Sequence, residues 1–133
     1  MKVDHLVQTD VVTITPVSSL LAAACGMSAA KVGSLAVLRQ LALVGIITER
    51  DLVRAMCEGA DPCTTPVSNY MTRDPEVAFL DDDSEEVACR MAALGLRHLP
   101  VVDDTGRLVG MVSVRDIAGL EAWPRSRGER CTA

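Results

Sequence analysis

Two short patterns in this chain could hold a ligand's polar groups: Thr48-x-x-Asp51 and Ser113-x-x-Asp116. Each closes or follows a Gly-centred apolar run, LVGIIT at 43–48 and LVGMVS at 108–113, and each opens a stretch of helical character. A hydroxyl at a helix N-terminus can bond a phosphate oxygen, aided by free N–H groups and the positive end of the helix dipole. An aspartate one turn into the helix can accept hydrogen bonds from both hydroxyls of a ribose. The plainer role is structural: Ser or Thr caps the helix and Asp complements its dipole. Two such patterns at equivalent places weigh toward a ligand more than one would. Arg97 and His98 precede the strand that leads to the second pattern. Arginine offers a planar fork for phosphate, and histidine a donor that charges near neutral pH. Their counterparts before the first pattern, Gly33 and Ser34, carry no charge.

Catalytic constellations are not found. His5 and His98 are the only histidines, and a Ser113–His98–Asp triad has no nucleophile elbow to present it. Asp81-Asp82-Asp83 reads as a solvated turn and helix start rather than a metal site. There is no Gly-rich phosphate loop. The chain is therefore expected to be neither an enzyme nor a resident metal binder.

The elements that position these residues come in duplicate. Residues 10–27 read DVVTITPVSSLLAAACGM and residues 74–91 read DPEVAFLDDDSEEVACRM. Met27 and Met91 stand 64 apart, as do Val37 and Val101, whereas Gly45 and Gly110 stand 65 apart. The extra residue falls where a turn can absorb it. Internal repetition governs the reading, and two copies point to two units facing one another with any ligand in the cleft between them. In the first copy a β-rich run (11–15) leads through Pro16 and Ser19 into a helix over about 19–31. Two strands at 34–38 and 43–47 then form a hairpin, and a helix at 48–58 follows Thr48 as its cap. The second copy repeats the order, with the turn Asp103-Asp104-Thr105-Gly106 and a last helix that starts at Ser113 and ends before Pro124. The class is α+β, β-α-β-β-α twice. The boundaries are read as 1–58 and 69–123 for the repeats, 59–68 for a linker and 124–133 for a disordered tail.

Of the 133 residues 49% are apolar and 2% aromatic, so aliphatic side chains must build the core and aromatic stacking on bases is not available. The net charge of −5 argues against a nucleic-acid backbone as partner. Val11–Ala30 carries no charge and approaches membrane-spanning length, but Pro16, Ser18 and Ser19 break it, and it reads as strand plus helix. No signal peptide opens the chain, and five cysteines without Cys-x-x-Cys spacing fit a reducing compartment, so a cytoplasmic location is expected. Cys25 and Cys89 read as small core residues, whereas Cys57 and Cys63 lie near the linker. The first helix, SLLAAACGMSAAK, has no charge before Lys31, unlike its twin SEEVACRMAALG. That predicts burial against a second copy of the chain, a homodimer.

The motifs MTRDP (71–75), RHLPVVD (97–103), GRLVGMVS (106–113) and SVRD (113–116), with VVTITP, GSLAVL, LVGIIT and TERD before them, resemble the cystathionine-β-synthase (CBS) domain family in tandem. Their order and duplication carry the likeness. Departures are Leu6-Val7-Gln8 in place of a Met-Thr pair, Ala36 opposite Pro100, and Arg39-Gln40 in place of an Asp-Gly turn. The resemblance implies two repeats packed sheet to sheet about a pseudo-twofold axis, forming a stand-alone sensor of an adenosine-containing ligand: AMP, ADP, ATP or S-adenosylmethionine. It implies no obligatory cofactor, and either a regulated partner protein or a ligand-free docking role. In that geometry adenine would rest against Val12, Thr13, Ile14, Val32 and Gly33. The polar groups would come from Arg97, His98, Ser113 and Asp116 at one site, and from Thr48 and Asp51 at the other.

Overall fold

The structure, a computed structural model, describes residues 1–118, so the expected tail and the end of the last helix lie outside the described residues. The element order is β1 (Thr13–Ile14), α1 (Leu20–Ala30), β2 (Ser34–Arg39), β3 (Ala42–Thr48), α2 (Glu49–Cys57), β4 (Thr72–Arg73), β5 (Ala78–Phe79), α3 (Ser84–Leu94), β6 (His98–Val102), β7 (Leu108–Ser113) and α4 (Val114–Ala118). Short 3-10 turns at Val3–His5 and Val67–Asn69 precede the first and second β-α-β-β-α sets. The α+β class and the duplicated order stand as read from the sequence.

The caps explain why the helices begin where they do. Ser19 accepts from the Ala22 amide and Asp83 from the amides of Glu85 and Glu86, so each first helix opens on a side-chain cap. At the other end Lys31 and Gly95, 64 apart, both take the left-handed conformation that stops a helix. Glycine adopts it freely, whereas Lys31 does so with a Cβ. The hairpins account for the one-residue offset. Leu38 pairs with Leu43, leaving four residues between them, whereas Val102 pairs with Leu108, leaving five. In the longer turn Asp103 accepts from the Thr105 amide and hydroxyl and from the Arg107 amide. The Thr105 hydroxyl first, then those two amides, hold its carboxyl below the ordinary carboxylate value.

The chain packs as two compact units, and their boundaries differ from those of the sequence repeats. One unit is residues 11–75; the other joins residues 1–10 to the described residues from 76 to 118. The segment ahead of each repeat thus completes the sheet of the other repeat. In the first unit β4 pairs antiparallel with β3, Thr72 opposite Ile46, to give the order β1-β2-β3-β4. In the second, β5-β6-β7 is extended by a bridge between Gln8 and Met111. The cores follow suit. Val67 and Met71 lie with Leu20, Ala23, Met27, Leu35, Val37 and Ile47, and Val3 lies with Val87, Met91, Leu99, Val101 and Val112. The physical reason is β3 and β7. Each has an open edge whose N–H and C=O groups require partners, and each carries a glycine, Gly45 or Gly110, beneath the incoming backbone. A Cβ on Gly45 would lie 2.8 Å from the Thr72 carbonyl oxygen, and one on Gly110 would clash with that of Gln8.

The stretch read as a linker also supplies two carbonyls to the start of α1. Leu20 N–H donates to the Thr65 carbonyl and Leu21 N–H to that of Pro62, both at 3.0 Å. Together with Ser19, whose hydroxyl and carbonyl take the Ala22 and Ala23 amides, they satisfy the first four donors of α1.

Helix α1 is not enclosed within its own unit. Leu20, Ala23 and Met27 face the core, at the i, i+3, i+7 spacing of one helical stripe, while Leu21, Ala22, Cys25, Ser28 and Ala29 are exposed. Cys25 is therefore a surface residue rather than the core residue expected, because it falls off that stripe; Cys89 is half-buried. Among the described residues no helix is long and apolar enough to cross a membrane.

Candidate functional site

Each Ser/Thr-x-x-Asp pattern forms a closed capping box. At the first, the Thr48 backbone N–H and hydroxyl both donate to Asp51 Oδ2, at 2.9 and 3.1 Å, and the Asp51 N–H returns a bond to Thr48 Oγ1 at 3.3 Å. At the second, Ser113 N–H and Oγ donate to Asp116 Oδ2 at 3.0 and 2.9 Å, and the Asp116 N–H donates to Ser113 Oγ at 3.1 Å. The first amide of each helix is also engaged: Glu49 N–H donates to the Gly33 carbonyl and Val114 N–H to that of Arg97. The hydroxyls are thus committed to Asp, where sequence reasoning offered them to a phosphate. The hairpin strand thus hands over to the helix with the helix's first and third amides both satisfied.

What the boxes leave open is the second carboxylate oxygen. Asp51 Oδ1 meets Arg54 Nη2 at 3.5 Å, and Asp116 Oδ1 meets Gln8 Nε2 at 3.5 Å. Both contacts sit at the outer limit of a hydrogen bond. Each Asp therefore has one saturated oxygen that fixes its rotamer and one half-engaged oxygen with lone pairs to spare. Such a carboxylate can accept from a ligand hydroxyl at little cost.

The surroundings of the two carboxylates differ. Arg97 is exposed and His98 half-buried at the start of β6, in the same unit as Ser113 and Asp116, and His98 lies opposite Ser113 in the sheet. In the other unit Gly33 and Ser34 take those places, and the Glu49 carboxylate lies directly over Gly33, where a Cβ would strike it. An acidic group thus lies over the position that corresponds to Arg97 in the twin. Arg54 also donates to the Tyr70 carbonyl at 3.1 Å and lies 5.3 Å from the Tyr70 ring centroid. The residues expected to form an apolar wall belong to the first unit: Val12, Thr13 and Val32 are exposed and Ile14 half-buried, with β1 parallel to β2. Sequence reasoning passed over Gln8, Glu49 and Arg54. The 64-residue alignment of Gln8 with Thr72 could have flagged Gln8 as an edge residue. Nothing local announced its nearness to Asp116, 108 residues away.

Among the described residues no group of three or more His, Cys, Asp or Glu is placed to hold a metal ion.

Two α+β units, each with a hairpin leading into a helix boxed by Ser/Thr and Asp, define a tandem-repeat protein of the β-α-β-β-α class. The chain belongs to the CBS domain family, which matches residues 3–58 and again 67–122. A solved CBS domain, NE2398, is 34% identical, covers 90% of this chain and 95% of its own, and superposes with a TM-score of 0.83. The CBS domain pair of protein MJ0100, solved in complex with 5-methylthioadenosine and S-adenosyl-L-methionine, is 29% identical, with a TM-score of 0.78 over 90% of this chain and 94% of that one. An uncharacterized 17.7 kDa protein of Acidianus ambivalens is 37% identical over 118 residues, 88% of this chain and 71% of that one. Other relatives are longer. The chain spans 64% of an uncharacterized Methanopyrus kandleri protein and 25% of an inosine-5'-monophosphate dehydrogenase from Methanocaldococcus jannaschii.

Proposed function

We propose that this chain is a regulatory module that binds an adenosine-containing ligand, with AMP, ADP, ATP and S-adenosylmethionine as candidates. One observation carries the reading: two equivalent aspartates, each with its rotamer locked by a capping box and one oxygen left to accept from a ribose. The likeness to the MJ0100 pair, whose ligands are both adenosine compounds, supports the class. Asp116, with Arg97 and His98 in its unit, is the better site for a phosphorylated ligand. Asp51, beside Glu49, suits one with less negative charge. The role is non-catalytic and cytoplasmic, with no nucleic acid or membrane as partner. The exposed apolar residues of α1 and α2, which pack together, are covered by a second copy in a homodimer.

The test is a thermal-shift screen of the wild type against AMP, ADP, ATP, S-adenosylmethionine and 5'-methylthioadenosine. A ligand at about 100 times its dissociation constant adds roughly 2.7 kcal/mol to the native state. A rise in midpoint with at least one of them is expected. A flat response to all five at millimolar concentration would overturn the reading. It would favour a ligand-free docking module that regulates a partner protein, for which the closed hydroxyls of Thr48 and Ser113 already speak.

A further inference from the structure

We propose that Gln8 is a specificity-determining residue: its side-chain amide and the Asp116 carboxylate together clamp a vicinal diol. The inference rests on the reading of Asp116 as a ribose acceptor and assigns a second residue to that site, from a segment that in sequence precedes the other repeat.

Gln8 is held in place by its backbone. Its N–H donates to the Met111 carbonyl at 2.8 Å and its carbonyl accepts from the Met111 N–H at 2.9 Å, a two-bond bridge to β7. Gly110 lies beneath it, with no room for a side chain between them. The side chain is exposed, and its Nε2 reaches Asp116 Oδ1. Oδ2 already takes two donors from Ser113, so Oδ1 is the oxygen with capacity. An amide carries two N–H donors and a carbonyl acceptor. One sugar hydroxyl can donate to Asp116 Oδ1 while accepting from Gln8 Nε2. The neighbouring hydroxyl can donate to Gln8 Oε1. The pair matches both hydroxyls of a diol in donor and acceptor sense.

The other unit lacks this match. The position equivalent to Gln8 is Thr72, opposite Ile46 in β4. Asp51 Oδ1 faces Arg54, a guanidinium with donors only, already shared with the Tyr70 carbonyl. It can receive a hydroxyl's lone pair but never its proton. Gln8 therefore gives the Asp116 site a diol selectivity that the Asp51 site does not share.

Calorimetric titration of AMP and 2'-deoxy-AMP into wild type, Gln8→Ala, Gln8→Thr and Asp116→Ala tests this. Both Gln8 variants keep the backbone bridge, and a thermal midpoint near that of wild type confirms that the fold is intact. In wild type the ribo form is expected to bind more tightly by about tenfold or more, the loss of one charge-assisted hydrogen bond. In Gln8→Ala and Gln8→Thr both ligands lose the contact to the 3'-hydroxyl, and AMP also loses the Gln8 N–H bond to its 2'-hydroxyl. AMP is therefore expected to weaken about threefold or more beyond 2'-deoxy-AMP and the ribo preference to shrink by that factor, the part carried by Asp116 remaining. A ribo preference of unchanged size in both variants overturns the clamp and leaves the ribose reading of Asp116 standing. Equal weakening of both ligands also overturns it, because it marks a structural role. If Asp116→Ala binds AMP as wild type does, or wild type binds neither ligand, the Asp116 reading falls and the clamp with it.

Discussion

The exchange of leading segments makes Gly110→Ala the sharpest test of this architecture. A Cβ at position 110 would collide with the Gln8 carbonyl oxygen, and would lie 2.7 Å from Val7 Cγ2 and 2.9 Å from the Gln8 carbonyl carbon. Two of the three are backbone atoms, which cannot rotate away as a flexible side chain would, so the 1–10 segment must lift from β7. Lifting stretches the two Gln8–Met111 hydrogen bonds, now 2.8 and 2.9 Å, each worth about 1 kcal/mol net. Overpacking adds roughly 1–3 kcal/mol. Losing a glycine's freedom in the unfolded chain returns about 0.4–1 kcal/mol. The expected net loss is about 2–5 kcal/mol, a large share of the roughly 5–15 kcal/mol that holds a domain together. Urea unfolding followed by far-ultraviolet circular dichroism should show a lower midpoint with little change in slope. Amide exchange should show faster opening at Met111 and Gln8 than at the β6–β7 pairs. Gly45→Ala, where one neighbour is the flexible Met71 side chain and the other the Thr72 carbonyl, should cost less. A change below about 0.5 kcal/mol at Gly110, or unaltered protection of Met111, would refute the claim that the N-terminal segment completes this sheet.

Two further predictions concern ligand and assembly. The tightest nucleotide site should be lost in Asp116→Ala and kept in Asp51→Ala, because Arg97 and His98 accompany Asp116 whereas Glu49 lies over Gly33 beside the Asp51 helix; titration of AMP into both variants decides it, and the opposite pattern would reverse the assignment. The exposed Leu21 of α1 and Met56 of α2 should lie in a homodimer interface burying on the order of 2,000 Å² in total. Leu21→Glu with Met56→Glu should then sediment as monomer, and a wild type that is already monomeric at micromolar concentration would exclude the interface. Ala23 is fully buried, so a charge there would probe the core instead.

Much of this protein was legible in the chain itself because its information is local and doubled. Ser19, Thr48 and Asp83 are cap residues at helix starts, and the periodicity around them sets the elements, so the order β-α-β-β-α could be written without coordinates. The offset between Val37–Val101 and Gly45–Gly110 located a longer turn, and Asp103 with Gly106 closes it. The pairing of Thr48 with Asp51 and of Ser113 with Asp116 was likewise written three residues apart, within one helical turn. The tertiary structure decided what depends on which edge meets which segment. Residues 1–10 and 67–73 carry the same short signals, and a local pattern cannot say whether such a strand pairs with its own repeat or with the other. The open edges of β3 and β7, and the bare glycines beneath them, settle that question. They also bring Gln8 to Asp116 and Tyr70 to Arg54, and so give two carboxylates that look alike in sequence different neighbours and different chemistry.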